Sequence, residues 1–366
     1  MINIKKIITI TSVVALSIGT LMAQGSEKYG TGVFGSGLRN GTAGASQLLI
    51  PQGAKFLTGG GAVANATGVG AAYWNPAGVA RATTGLETTF SNRSYIADMS
   101  VVHAGASLKL GANAFAVTVR SIDIGEIPVT TVWAPDGTGE KFSPSNFTAG
   151  LTYSRMMSTK TSMGLSINTS SEKFKRVGGT SLSLDAGVQY TDFLDVEGLD
   201  VGVAVRNFGR PTRYEGSGLL VKAIAVGSDR FTQLYNVQAA EADLPMLFEL
   251  GGSYTIGNSI TVAGTYESNN FEQDKLKLIG SYTLPGLASV RVGLLQDMET
   301  VEFKDNPLTT TVDESDAKIE NIFAGASFGG SLYLQKMLGI NASLDFAYIP
   351  AKYFDGNTIF TLNVGF

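Results

Sequence analysis

The chain has 366 residues, 45 of them glycine, with 19 Phe, 13 Tyr, only 16% charged residues and a formal net charge of −4. That mildly acidic balance argues against a nucleic-acid partner, because no surplus of Lys and Arg exists to displace counterions from phosphates. Cysteine is absent, which excludes disulfides and lipid attachment at a cleavage point, and beyond the N-terminal segment no run of about 18 apolar residues supports a helical membrane span.

In chain order, Lys5 and Lys6 precede an apolar, β-branched run from Ile7 to Met22 that closes at Leu21-Met22-Ala23. Residues 1–23 therefore read as a secretory signal peptide, followed by export through the inner membrane. Residues 24–85 are rich in Gly, Ala and Thr and poor in charge, and they contain Tyr73-Trp74-Asn75-Pro76-Ala77-Gly78. They do not alternate like strands and are expected to form an N-terminal plug, with glycine supplying tight backbone turns. Within them, Gly30-Thr31-Gly32-Val33-Phe34-Gly35 matches a dinucleotide fingerprint literally, but it follows a cleavage point and precedes no helical pattern, so it reads as accidental.

From residue 86 the pattern changes to period 2. Leu182, Leu184, Ala186, Val188 and Tyr190 share one face, and Ser181, Ser183, Asp185, Gly187 and Gln189 share the other. Strands of about ten residues, the length a tilted strand needs to cross hydrocarbon, are predicted at 86–95, 99–110, 112–123, 145–157, 160–171, 179–191, 198–208, 245–256, 258–268, 275–284, 287–297, 319–330, 339–349 and 357–366. Tight turns at Gly111, Ser158-Thr159, Gly257-Asn258 and Pro285-Gly286 alternate with long loops at 124–144, 209–244 and 298–318. Long loops on one side only, with an even strand count, are the pattern of a transmembrane antiparallel β-barrel. The expected fold is therefore all-β, with residues 86–366 as a barrel of about 14 strands in the bacterial outer membrane, surrounded by its lipid. The last strand ends on Phe366 after Phe360, Leu362 and Val364, resembling the terminal aromatic signal read by barrel-assembly machinery. A barrel this wide has a lumen that its own side chains do not fill, which suits a plug.

Charges expected to face the lumen include Arg206, Arg291 and Glu249, with Lys109, Arg120, Asp185, Glu267, Lys277 and Asp345. They should pair with one another or with the plug, because unpaired burial is costly; a ligand carboxylate at Arg206 or Arg291 is the functional alternative. His103 is the single histidine and has no neighbouring ligands of the kind zinc needs. No nucleophile context accompanies it, so no catalytic residue, metal or cofactor is expected and the chain reads as a non-enzyme. Asp313-Glu314-Asp316 reads as a solvated loop.

Several segments resemble a known family. Pro51-Gln52-Gly53-Ala54, Gly59-Gly60-Gly61-Ala62-Val63-Ala64 and Ala71-Ala72-Tyr73-Trp74-Asn75-Pro76-Ala77-Gly78 resemble the N-terminal signature of the PorV/PorQ family, related in fold to the FadL transporters that share the Asn-Pro-Ala element. Val205-Arg206-Asn207-Phe208-Gly209 and Leu244-Pro245 look like the family's Asn-x-Gly and Leu-Pro elements. Lys55-Phe56-Leu57-Thr58 and the long 209–244 loop depart from it. The resemblance implies a FadL-like barrel of fourteen strands acting in type IX secretion as a partner or shuttle that binds the translocon or cargo C-terminal signal domains. Aromatics of the long loops, Trp133, Tyr214, Phe231 and Tyr235, are the candidate partner anchors. The alternative is a FadL-like transporter of hydrophobic small molecules, with Phe56, Leu57, Tyr73, Trp74, Asn75 and Pro76 as candidate ligand contacts in the plug. Asn75 before Pro76 also fits a structural turn, since proline restricts the residue that precedes it.

Overall fold

The computed structural model describes residues 39, 41–56, 59–223, 233–298, 301–303, 317–319 and 321–366. The expected signal peptide, Leu57, Phe231 and the acidic triplet at 313–316 lie outside these residues. Fourteen strands form one closed antiparallel ring: β1 Leu86–Ser94, β2 Ser100–Leu110, β3 Asn113–Asp123, β4 Ser145–Met156, β5 Thr161–Phe174, β6 Val177–Tyr190, β7 Leu199–Gly209, β8 Leu247–Ile256, β9 Ile260–Asn269, β10 Lys275–Leu284, β11 Ala288–Asp297, β12 Gly325–Tyr333, β13 Ala342–Ile349 and β14 Asn357–Gly365. The ring closes where β1 pairs with β14, from Glu87 opposite Gly365 to Arg93 opposite Ile359. Closure gives every strand two neighbours, so no row of backbone donors and acceptors is left open to lipid.

The faces are arranged inside out relative to a soluble protein. Leu165, Ile167, Leu182, Leu184 and Val292 point outward and are exposed, whereas Ser166, Ser170, Ser181, Ser183 and Arg291 on the same strands point inward and are buried. An oily exterior around a polar interior has the polarity of a barrel built to stand in hydrocarbon. Tyrosines mark one edge of the oily band, with Tyr153, Tyr254 and Tyr282 all exposed near strand ends on the same side, as amphipathic rings do at a membrane interface.

All connections at that end are short, and it is called the turn end below. The loops 124–144, 210–246 and 298–324 leave from the opposite, loop end, and each carries a two-stranded ribbon: Ile127–Pro128 with Lys141–Phe142, Leu220–Ala223 with Gln233–Asn236, and Val301–Phe303 with Ala317–Ile319. In the second loop Thr212–Arg213 also pairs with Glu241–Ala242. Strand boundaries depart from expectation in two main places. β5 and β6 each extend to 14 residues and meet in the two-residue turn Lys175-Arg176. β12 begins at Gly325 rather than near 319, because Asn321 diverts the chain: its amide donates to Asp297 Oδ1 at 3.2 Å, and its side-chain oxygen accepts from the Phe323 amide at 3.0 Å. An Asx turn competes with the ladder for the same backbone groups, and residues 321–324 leave the sheet.

Residues 41–56 and 59–82 occupy the lumen and include five short helical turns: Ser46–Leu49, Ala62–Asn65, Gly68–Gly70, Ala71–Trp74 and Pro76–Arg81. Arg39, ion-paired to Asp243 at 2.6 Å, and the Gly44 amide, donating to the Asp243 carbonyl at 2.9 Å, place the start of this segment at the loop end. Its far end meets Leu86, whose amide bonds the Phe366 carbonyl at the turn end. The small side chains Ala62, Ala66, Ala71, Val79 and Ala80 form a core with Ala114 and Ala116 of β3, which lets short helical turns lie close to the wall.

Removing Asn357–Phe366 takes away the closing partner of β1 and exposes the edges of β1 and β13. The truncated chain should lose the heat-modifiable gel mobility of a folded barrel and accumulate outside the membrane fraction; a truncated chain that keeps that mobility would contradict closure through this pair.

Candidate functional site

The plug is fastened first by direct contact with wall backbone. A side-chain carbon added at Gly164 of β5 would fall on Pro76, at Gly187 of β6 on Asn75, at Gly202 of β7 on the Val63 carbonyl, and at Gly251 of β8 on Val63. Glycine at these inward positions admits plug backbone at Gly164 and Gly202, and the Asn75 and Val63 side chains at Gly187 and Gly251, where any wall side chain would hold the plug away. Asn75 uses the space. It is fully buried, and its Nδ2 donates to the carbonyls of Val63 at 2.7 Å, Val188 of β6 at 3.1 Å and Val203 of β7 at 3.3 Å, while its Oδ1 accepts from the Ala77 amide at 3.1 Å. Pro76, which lacks an amide hydrogen, fits at the first position of the helical turn that Asn75 caps.

Second, cations reach plug carbonyls. Lys109 donates to Ala82 O at 2.7 Å, Arg120 to Ile50 O at 3.0 Å, Arg93 to Pro51 O at 3.2 Å and Arg206 to Tyr73 O at 3.2 Å. In return Arg81 of the plug donates to Ser162 Oγ at 2.8 Å and to the Gln189 carbonyl at 3.3 Å. Burial pulls the Arg81 guanidinium below its ordinary pKa, with Asp200 acting in the opposite sense.

Third, a buried chain of alternating charge crosses β7 to β10. Glu249 and Glu267 stand directly opposite each other on β8 and β9, an arrangement that like charges disfavour. Two cations bridge them: Arg206 bonds Glu249 at 2.8 Å and approaches Glu267 at 4.0 Å, and Lys277 bonds Glu249 at 3.0 Å and also Glu267. Lys275 extends the chain to Glu272. The network faces plug aromatics, with the Arg206 guanidinium 4.6 Å from the Tyr73 ring centroid and the Lys277 ammonium 5.9 Å from Trp74. Charge-assisted, fully satisfied pairs of this kind hold geometry even where their net stabilisation is small.

Among the described residues two chambers of the lumen stand out. The larger, about 470 Å³, lies at the loop end; Leu49, Ile50, Ile122, Phe323 and Ile349 supply its apolar wall, and Arg93, Arg206, Lys277 and Glu267 its polar floor. The smaller, about 230 Å³, opens toward the turn end and is lined by Lys55, Phe56, Val69, Glu87, His103 and Asp345 among others. Trp74 borders both. Its indole donates to the Gln52 carbonyl at 3.2 Å, and its ring takes Tyr73 edge-on at 4.9 Å and Phe56 at 6.1 Å. The segment from Pro51 to Phe56, together with this indole, forms the partition between the chambers.

The expected site residues thus separate by role. Phe56, Tyr73 and Trp74 line a cavity. Asn75 and Pro76 line neither, and their candidate ligand role is corrected to docking of the plug, because their polar groups and surfaces are consumed by the wall. Arg206, Glu249, Glu267 and Lys277 pair with one another, while Arg291 donates to Ser289 Oγ at 2.9 Å and Asp345 accepts from Asn363 at 2.7 Å. In the loops, Trp133 is 94% exposed and Tyr235 lies on the exposed ribbon, but Tyr214 is half-buried with its hydroxyl on Glu172. Burial, followed by that hydrogen bond, raises the Tyr214 pKa and keeps the phenol protonated.

Arg93 and Tyr95 were absent from the sequence-based candidates. Arg93 lies above the Tyr95 ring at 5.0 Å and the Phe323 ring at 6.0 Å, bonds Asn357 Oδ1 at 3.4 Å, and has no carboxylate partner among the described residues. Burial also pushes the Tyr95 phenol above its ordinary pKa, the Arg93 charge working against it. The signal was available: Thr89, Ser91 and Arg93 fall on one face of the first strand.

Asn75→Ala removes the donor to three buried carbonyls and should cost about 1–3 kcal/mol, read as a lower temperature for disappearance of the folded gel band. Glu249→Gln, which leaves Arg206 and Lys277 short of one charge, should cost about 3–5 kcal/mol by the same measurement. Equal thermal resistance of either variant and the parent would show that these contacts do not hold the plug.

No family model matches the chain. No curated protein matches it either. Among solved structures it is similar to the CymD monoaromatic hydrocarbon channel, with TM-score 0.52 and 12% identity over 90% of this chain and 98% of that one. It is also similar to the Pseudomonas putida toluene transporter TodX, with TM-score 0.51 and 11% identity over 82% and 94%, and to a Pseudomonas aeruginosa FadL homologue, with TM-score 0.47 and 13% identity over 83% and 95%. At these identities the likeness to CymD and TodX shows the fold alone, in agreement with the closed ring of fourteen strands. The expectation of a type IX secretion partner is overturned by this finding, since the barrels matched are titled as channels and transporters of small hydrophobic compounds rather than as secretion components.

Proposed function

We propose that the protein is a non-enzymatic passage for hydrophobic small molecules across the bacterial outer membrane, with the loop end outside and the turn end in the periplasm. The observation that carries this reading is the pair of chambers, one toward each end of the lumen, divided by the Pro51–Phe56 segment and by Trp74, which borders both. The larger chamber combines an apolar wall with a few fixed polar groups, the usual make-up of a small-molecule site. The hydrocarbon substrates in the titles of the matched barrels agree with that lining. The motif resemblance to the PorV/PorQ family is kept as a proposal about ancestry, and an alignment of homologues across 51–78 and 205–251 tests it.

Arg93 adds selectivity to the chamber. A guanidinium with no carboxylate partner among the described residues, lying against the Tyr95 and Phe323 rings, which pack on each other with centroids 5.8 Å apart, favours an apolar molecule with an acidic end over a neutral one. A hydrogen bond to a charged group contributes about 1.5–3 kcal/mol, or roughly 10- to 150-fold in affinity.

Cells carrying the protein in their outer membrane should take up labelled toluene faster than cells without it. Trp74→Ala should raise that rate by widening the partition, and Arg93→Gln should weaken laurate binding by roughly tenfold or more while leaving toluene unaffected. Toluene uptake no faster than in cells lacking the protein would overturn the transport reading. Laurate binding unchanged in a folded Arg93→Gln barrel would overturn the role given to that residue.

A further inference from the structure

Outside the lumen, the wall changes character toward the loop end of β5, β6 and β7. The outward column of β5 runs Leu165, Ile167, Thr169, Ser171 and Lys173, all exposed, so an apolar stretch gives way to hydroxyls and then to a cation. On β6 the exposed Leu184 and Leu182 lead up to Thr180, and on β7 the exposed Phe208 is followed two residues later by Arg210. The β5–β6 turn adds Lys175 and Arg176, and loop 210–246 adds Arg213 and Lys222.

Acidic partners offset only part of this charge. Lys175 pairs with Glu140 at 3.2 Å, and Arg213 pairs with Glu241. Glu172 points inward and accepts the Tyr214 hydroxyl. Among the described residues, Lys173, Arg176, Arg210 and Lys222 have no carboxylate partner, against one similarly unpaired acid, Glu215, in the cleft that Lys173 and Arg176 line. A local cationic surplus on a chain of net charge −4 is directed at something anionic.

Its height identifies what that is. Phe147 of β4, exposed opposite Ser171, ends the apolar band on one side, and on β6 Leu182, opposite Thr169, ends it on the other. Lys173 lies four residues beyond Thr169, about 13 Å along the strand and about 9 Å along the membrane normal at a 45° tilt. The headgroup layer is about 5–8 Å deep per leaflet, and a lysine or arginine side chain reaches back into it from just above. Guanidinium groups suit phosphate through two parallel hydrogen bonds.

We propose that this surface binds a phosphate-bearing glycolipid of the outer leaflet, with acyl chains along Leu165, Ile167, Leu182 and Phe208 and phosphates at Lys173, Arg176 and Arg210. The proposal rests on the loop end facing outward. The test does not, because it is done in detergent with the folded full-length barrel.

Native mass spectrometry with bisphosphorylated lipid A should show retained lipid on the parent protein and on Lys336→Gln, a control at the turn end. The triple variant K173Q/R176Q/R210Q should bind about 100-fold more weakly, and Arg176→Gln alone, in an exposed turn, about 5-fold more weakly. Dephosphorylated lipid A should bind the parent as weakly as intact lipid A binds the triple variant. Equal retention of dephosphorylated lipid A, or unchanged binding by folded variants, would overturn the proposal. So would saturable binding of inorganic phosphate alone that needs the same three residues, since that would mark a free-anion site. Separately, recovery of the protein outside the outer-membrane fraction would sink the transport reading without touching the lipid measurement.

Discussion

A strand in hydrocarbon has no water to accept its backbone bonds, so each amide and carbonyl of the wall must be paired within the ring. The register of β1 on β14 meets that demand, and the side chains follow from it. Once the ring is closed, alternation sends Leu165, Ile167 and Leu182 to lipid and Ser166, Ser170 and Ser181 to the lumen. The interior is therefore polar, and a plug placed there gains little from apolar burial at the wall. It is held instead by backbone against backbone at Gly164 and Gly202, by the Asn75 amide seated over Gly187, and by arginine and lysine side chains on its carbonyls.

The fastening is lopsided. Pro76–Arg81 packs against β4, β5 and β6, and Ala62–Asn65 against β7 and β8. Toward β13 and β14 the Pro51–Phe56 segment crosses through Ala54, whose amide donates to Thr361 Oγ1 at 3.0 Å, and toward β10 Gly60 lies on the backbone of Leu278 and Ile279. Both chambers reach this thinner side, and the charge chain from Arg206 to Lys275 stands where the dense side gives way to the cavities. A rigid network at that border keeps the floor of the larger chamber in place while the crossing segment remains lightly attached.

How much of this was legible depends on which physical signal carries it. Alternation between Ser181 and Tyr190 reveals two unlike faces, and tight turns at Gly111 and Gly257 opposite long loops reveal a barrel rather than a sandwich, so the strand ring could be read from the chain. The start of β12 could not, because the Asx turn at Asn321 depends on Asp297, a residue in another strand. Period also identifies Arg206, Glu249 and Lys277 as inward but is silent about partners, since these come from adjacent strands in a register that periodicity does not fix. Asn75 looked like a possible ligand contact because its destination, a gap made by Gly187 and Gly202 more than a hundred residues away, has no local signature. The secretion reading came from motif resemblance, which speaks to descent; the task has to be argued from the chambers themselves.

The path of the plug bears on how the molecule is made. Its segment starts beside Asp243 at the loop end and leaves beside Phe366 at the turn end, so it runs the full length of the lumen before β1 begins. A chain laid lengthwise through a ring whose seam joins the first strand to the last is difficult to thread afterwards. The plug is enclosed only where the seam between β1 and β14 is shut, so the pairing of the final strand is what seals the interior around it.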